Sequence, residues 1–204
     1  LLVVEKRTEA LSETYQTSYA IYSAVITLME QDGFEFQYTF KDKEDYNSYR
    51  ERYSEKYSEM SEKVRGGGYD IYTSLNNKQQ RKLQKSLDST LSGFTEKQSD
   101  GRYAVQGAAV CVDNETGYVT AIVGGRGKKD QYNRAYLAKR QPGSTIKPLL
   151  DYAPAFETGE YYPSKIMSGH PIANGTKNAG GSYRGNVSMR EAIARSINTI
   201  AYQT

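Results

Sequence analysis

Tryptophan is absent from this 204-residue chain, and histidine and cysteine each occur once. No apolar stretch approaches the roughly 18 uncharged residues that span a bilayer as a helix. The best one, Ala20 to Met29, is short and is bracketed by Glu13 and Glu30. A lone cysteine, Cys111, excludes an internal disulfide, and inside the run AAVCV it reads as a small buried hydrophobe rather than a nucleophile. A net charge of +3 is too small to point to nucleic acid. The missing indoles are replaced by 19 Tyr against 5 Phe, so many apolar positions carry a polar handle suited to half-exposed packing. The chain opens LLVVEKR, with neither an initiator methionine nor a basic leader, and reads as a piece of a longer protein.

What is present has a clear order. Leu11, Tyr15, Tyr19, Tyr22, Ile26 and Met29 recur at steps of three and four, which predicts a helix from about Val3 to Gln31, ended by Gly33. A second helix is expected from about Asp42 to Val64, where Tyr46, Tyr49, Tyr53, Tyr57, Met60 and Val64 form a seam. Its charge runs, such as Arg50 to Lys56, alternate in sign, as a solvated face does. The two stripes should pack on each other, with the tyrosines as core rather than as a platform for glycan or nucleic acid. Three glycines, Gly66 to Gly68, then mark a boundary between residues 1–65 and 66–204. Tyr69 to Leu75 alternates as a strand, and Asn76 or Asn77 caps a helix with the stripe Leu83, Leu87 and Leu91. Val105 to Val112 and Tyr118 to Val123 are β-rich runs joined by Asp113–Gly117, a hairpin by spacing. Ser188-Met189-Arg190-Glu191 has capping-box spacing, so a helix starts there and carries Ala192 and Ile193 inward.

The chemistry lies in RQPGSTIKP, Arg140 to Pro148. If a helix starts at the Pro-Gly break, Ser144 and Lys147 share a face, and the amine is placed to take the hydroxyl proton. Alone, the tetrapeptide fits a capped helix start with a solvated lysine equally well. The second element is Ser196-Ile197-Asn198, further along the chain, and the order S-x-x-K then S-x-N is that of penicillin-recognising serine enzymes. Ser74-Leu75-Asn76 has the same triplet form but precedes Ser144 and closes a strand, so it is a decoy. The third element, K-[ST]-G, is absent: Glu115-Thr116-Gly117 and Glu157-Thr158-Gly159 lack the lysine, and Gly175-Thr176-Lys177 runs backwards. For Lys147 to act as a base it must be neutral, which requires burial or like charge. A helix N-terminus beneath Ser144 would stabilise the developing oxyanion.

From Gly66 onward the chain resembles the transpeptidase part of the class A penicillin-binding proteins. The resemblance is carried by GGGYDIYTSLNNKQQ, QGAAVCVDNETGYVTAIVGGR, QYNRAYLAKRQPGSTIKPLLDYAPAFETG and MREAIARSINT. It implies an α+β fold, with a helical N-terminal segment and an incomplete transpeptidase domain of the serine β-lactamase type, an antiparallel sheet flanked by helices. It implies that Ser144 is acylated, that Ser196 relays a proton to the leaving group, and that Asn198 holds Lys147 and the substrate amide. The expected partners are peptidoglycan stem peptides, a D-Ala-D-Ala donor and an amine acceptor, together with β-lactams. No cofactor, metal or nucleic acid is called for. The family further implies a membrane anchor outside this chain and a place on the extracytoplasmic face of the bacterial membrane. Its glycosyltransferase domain needs a Glu-Asp motif near a histidine; with His170 the only histidine, that domain is not expected here. A penicillin-recognising sensor or non-catalytic cell-wall module is the alternative reading, and the N-terminal helices would suit a protein-interaction arm under either.

Overall fold

Short polar side chains start four of the helices by the same device, accepting backbone N–H groups that the first turn leaves unpaired. Thr14 accepts from the N–H of Thr17, Asp42 from Glu44 and Asp45, Asn76 from Lys78 and Gln79, and Ser188 from Glu191. The computed structural model describes residues 14–127 and 130–204. They form two units, one ending at Ala138 and the other running from Lys139 to Thr204.

In the first unit, helices α1 (Tyr15–Gln31) and α2 (Lys43–Gly66) pack as the expected hairpin. The part of the first predicted helix before residue 14, with Leu11, lies outside the described residues. Val25, Met29 and Met60 are buried between the helices, with Ile21, Phe34, Phe36, Tyr53, Tyr57 and Val64 packed around them. Tyr53 and Tyr57 of the seam are therefore core, while Tyr46 and Tyr49 are half-buried beside Phe40. Tyr53 and Tyr57 stack at 5.9 Å between ring centres, and burial raises the Tyr53 hydroxyl above the ordinary tyrosine range. Gly67 and Gly68 follow α2 at φ +99° and +91°, a region open to glycine.

Helix α3 (Asn77–Thr90) packs on a hairpin of β1 (Ala109–Val112) and β2 (Val119–Val123). The strands pair antiparallel from Ala109 opposite Val123 to Val112 opposite Val119, with a bulge beside Cys111 and Val112. The connecting loop is an Asx turn: Asp113 Oδ1 accepts from the N–H groups of Glu115 and Thr116 and from the Thr116 hydroxyl. Two expectations need correction. The first strand is shorter than Val105 to Val112, because the Val105 carbonyl accepts from Arg126 and Arg126 N–H donates to Gln106, which holds this stretch out of the ladder. Tyr69 to Leu75 is extended but forms no ladder. It meets the outer edge of β2 only at its end, where the Ser74 hydroxyl donates to the Val119 carbonyl and the Asn76 N–H to the Thr120 carbonyl. Further along that edge a side chain takes the place of a strand. Gln80 Nε2 donates to the Ile122 carbonyl at 2.7 Å and its Oε1 accepts the Ile122 N–H at 2.8 Å, as a neighbouring strand would. Cys111 is half-buried rather than fully enclosed.

After β2 the chain passes Gly124, where any side chain would collide with Asn133, its Cβ lying 2.4 Å from the Asn133 Cα. That close approach lets buried Asn133 donate to the Tyr15 carbonyl and the Ser18 hydroxyl, fixing the start of α1 against the end of β2. Tyr15 donates its hydroxyl to the Asp130 carbonyl, and burial with the nearby Asp130 carboxylate raises that hydroxyl to about 12. A short helix, α4 (Arg134–Leu137), ends this unit.

The second unit begins with a continuous helical run. A 3₁₀ turn (Gly143–Ile146) leads through Lys147 into a π turn (Pro148–Tyr152) and then α5 (Ala153–Glu157). The π turn is read from the Ala153 N–H, which donates back five residues to the Pro148 carbonyl. Strands β3 (Ile166–Ser168) and β4 (Asn186–Ser188) pair antiparallel and lead into α6 (Met189–Ala194) and α7 (Asn198–Ala201). Tyr152, Met189, Ala192, Ile197 and Ile200 form the core of this unit, with Phe156 and Ile193 packed on it. Only half of the expected capping box forms: Ser188 caps the N–H of Glu191, but the Glu191 carboxylate turns to Arg195 at 2.8 Å.

The edges of the first sheet yield a prediction. β1 has no strand on its far side among the described residues, and Val110 and Val112 are exposed on it; such edges recruit other chains. The purified chain is expected to associate with rising concentration in sedimentation velocity. Gln80→Leu, which strips the Ile122 N–H and carbonyl of their partners, should destabilise it by about 1–3 kcal/mol in urea unfolding and increase the association.

Candidate active site

Gly143 takes φ +58°, which breaks the chain direction after Pro142 and starts the 3₁₀ turn that carries Ser144. In a 3₁₀ turn, side chains three apart eclipse one another, so Lys147 stands over Ser144, and its N–H donates to the Ser144 carbonyl. Ser144 is exposed, and its hydroxyl makes no hydrogen bond to a described residue. Lys147 is half-buried.

The amine of Lys147 reaches instead to one turn of backbone far along the sequence. It donates to the Ser196 carbonyl at 2.9 Å, the Ser196 hydroxyl oxygen at 3.1 Å and Asn198 Oδ1 at 2.5 Å. Those three acceptors use all the N–H groups an ammonium has, so none is left for Ser144. Burial pushes the Lys147 amine below the ordinary lysine range, and the carboxylate of Asp151 pulls the other way.

Ser196 makes this convergence possible through its backbone. It sits at φ +53°, the one non-glycine residue among those described with positive φ. Such a conformation is unfavourable for a residue with a Cβ and persists where its surroundings impose it. Here α6 ends at Ala194, Ser196 N–H donates to the Ile193 carbonyl, Ile197 is buried in the core, and α7 starts at once with Asn198. Carbonyl, hydroxyl and carboxamide of this turn then point to one place.

Two residues whose part in the site leaves no local mark, Lys177 and Asn178, complete the surroundings. Asn198 Nδ2 donates to the Lys177 carbonyl at 2.7 Å, and Asn178 Oδ1 accepts the Thr199 N–H at 3.1 Å. Both lie 21 positions from their partners, beyond the reach of any local pattern. Lys177 stands in the Gly175-Thr176-Lys177 string that fails as a reversed K-[ST]-G. The decoy triplet behaves as one: Asn76 caps α3, and the Ser74 hydroxyl donates to the Val119 carbonyl. Among the described residues no group of acidic, histidine and cysteine side chains is gathered to hold a metal ion, and no helix is long and apolar enough to cross a membrane.

Residues 107–204 match the family model described as the penicillin binding protein transpeptidase domain. Penicillin-binding protein 1A of Clostridium perfringens (strain 13) is 34% identical over 169 residues, covering 74% of this chain and 25% of that protein. Penicillin-binding protein 1A/1B of Bacillus subtilis is 38% identical over 136 residues, covering 64% of this chain and 14% of the relative. The chain thus spans a quarter or less of the length of these relatives. In three dimensions it is similar to PonA1 from Mycobacterium tuberculosis in complex with penicillin V, with a TM-score of 0.60 and 20% identity over 91% of this chain and 40% of that one. With family match, relatives and shared fold in agreement, the chain belongs to the class A penicillin-binding proteins and holds the N-terminal part of their transpeptidase domain.

Proposed function

We propose that this chain carries the acylating half of a peptidoglycan D,D-transpeptidase. The observation that supports it best is the half-buried Lys147 amine held by Ser196 and Asn198 one 3₁₀ turn from an exposed serine. In this reading Ser144 Oγ bonds to the carbonyl carbon of the penultimate D-Ala, and its proton passes to the neutral Lys147 amine. The tetrahedral intermediate collapses when the C–N bond to the terminal D-Ala breaks, and that nitrogen takes a proton by way of Lys147 and Ser196. An amine of a second stem peptide then attacks the ester, giving its own proton back through Lys147, and Ser144 is regenerated.

The geometry suits those proton movements. The Ser196 carbonyl and Asn198 Oδ1 only accept, so a neutral amine keeps two N–H bonds to them and turns its lone pair toward the remaining direction. The Ser196 hydroxyl, which both donates and accepts, lies 3.1 Å from the amine in that direction. By turning aside it frees the lone pair to take the Ser144 proton, and it then relays that proton to the leaving nitrogen. A β-lactam offers Ser144 an amide carbonyl of the same kind and would stop at the ester. In this reading the N-terminal helices are a linker segment that ends at the glycines after Arg65 and is docked on the start of the transpeptidase part through Tyr15 and Asn133. The protein, on the same reading, acts at the extracytoplasmic face of the bacterial membrane on stem peptides, with the active site completed by a K-[ST]-G strand.

Two measurements on a protein that carries the complete domain test the assignment. Ser144→Ala is expected to abolish labelling by a fluorescent penicillin, and labelling at full stoichiometry would move the nucleophile elsewhere. A sensor would label and stop, whereas a transpeptidase cross-links in steady state.

The second concerns the base. Lys147→Arg should lose about 100-fold to 10,000-fold in acylation rate, nearly as much as Lys147→Ala, because a guanidinium stays protonated and cannot accept the proton. In the unsubstituted protein the rate should fall as pH drops, since protonation removes the base, with the midpoint below the ordinary lysine value of about 10.4. An arginine variant with most of the wild-type rate, or a rate insensitive to pH, would reduce Lys147 to a fixed charge.

A further inference from the structure

A carboxamide is nearly symmetric in shape and opposite in polarity at its two ends. Asn198 can serve Lys147 only with Oδ1 facing the amine; turned over, it would aim an N–H at an N–H. Lys147 itself does not enforce the useful orientation, because as a neutral amine it also offers a lone pair. The Lys177 carbonyl does. It accepts and never donates, and it lies 2.7 Å from Asn198 Nδ2, so the amide end must face Lys177 and the oxygen end Lys147.

That carbonyl is held in place by its neighbour. Helix α7 is four residues long, and its N-cap, Ile197, has no side chain to accept the free N–H groups of the first turn. Asn178 supplies the acceptor from 21 positions away, taking the Thr199 N–H on Oδ1. Its Nδ2 donates to the Ser182 carbonyl at 3.2 Å, closing a short turn around Gly180 and Gly181, both at positive φ. The Asn178 side chain thus pins the segment 177–182 to the residue next to Asn198.

We infer that Asn178 is a positioning residue for the acylation step: by binding the Thr199 N–H it sets the Lys177 carbonyl, which fixes the orientation of the Asn198 carboxamide toward Lys147. The inference rests on the acylation chemistry proposed above. The charged group that acts on the Lys147 amine is Asp151, from its own helical run; Ser196, Asn198 and the Lys177 carbonyl are neutral.

The test is the acylation rate by a fluorescent penicillin as a function of pH, in a protein with the complete domain, for Asn178→Ala, Asn178→Asp and Asn178→Gln. Asn178→Ala frees the segment and lets Asn198 turn over. The rate should fall about tenfold to a hundredfold. The acid limb of the profile should also move to lower pH by about one unit, because the ammonium loses an acceptor. Asn178→Asp keeps the acceptor for Thr199 but gives up the donor to the Ser182 carbonyl and adds a negative charge. Its rate should stay within about threefold of the unsubstituted rate, and the limb should hold its place or move to higher pH, never lower. Asn178→Gln moves both groups by a methylene and should resemble the alanine variant.

An alanine variant with unchanged rate and profile overturns the inference. So does a loss of rate in all three variants with the limb unmoved, since that is what a general loosening gives. If Asn178→Ala does not fold, the aspartate and glutamine variants decide: aspartate near normal with glutamine slow and shifted supports the inference, and any other pairing overturns it. Labelling that survives Ser144→Ala would instead discredit the underlying chemistry, so the two failures are told apart.

Discussion

An amine withdrawn from water must have its N–H groups occupied, and the way Lys147 meets that demand organises the second unit. A half-buried cation left without acceptors costs several kcal/mol. Here the acceptors come from a single turn, Ser196 to Asn198, reached across about fifty residues of chain. To aim a carbonyl, a hydroxyl and a carboxamide at one point, that turn adopts a left-handed residue at Ser196 and starts α7 with no interval. Ile197 and Ile200 on one side and Tyr152 on the other are buried together beneath it. The strain at Ser196 is sustained by that core, and the same core holds the Ser196 turn where the Lys147 amine meets it.

The first unit solves a different problem with similar economy, letting side chains take over what backbone does elsewhere. Gln80 stands in for a strand at the edge of β2, Asn133 ties α1 to the strand end, and Asp113 closes the hairpin loop. Each is a polar group whose donors and acceptors match a stretch of backbone left unpaired by the local fold.

This accounts for what could be read in advance. Helix spans, the caps at Asn76 and Ser188, the tyrosine seam and the hairpin depend on neighbours within a few residues, and such neighbours leave periodic or positional marks in a sequence. Ser144, Lys147, Ser196 and Asn198 were legible as motifs, and the structure shows that three of them meet. The failures have identifiable physical causes. Tyr69 to Leu75 has a strand's alternation, but only its end reaches the edge of β2, and Gln80 serves the edge beyond it. Val105 has a strand's composition, but Arg126 holds its carbonyl. β3 and β4 are three residues each, too short to show a pattern. Lys177 and Asn178 act on partners far along the chain, one of them through a carbonyl that every residue possesses.

The π turn between Lys147 and α5 has a geometric meaning of its own. In an α-helix, residues five apart point about 140° away from each other; in a π turn, bonded from i to i+5, they come much closer together around the axis. Pro148 to Tyr152 therefore works as a phase offset, bringing Lys147 and Tyr152 onto the same side of the run, one to meet the Ser196 turn and the other to enter the core. In regular α geometry the same sequence would have to choose between a packed tyrosine and a docked lysine. The wider turn removes the choice, so the length of this segment decides where its lysine can dock.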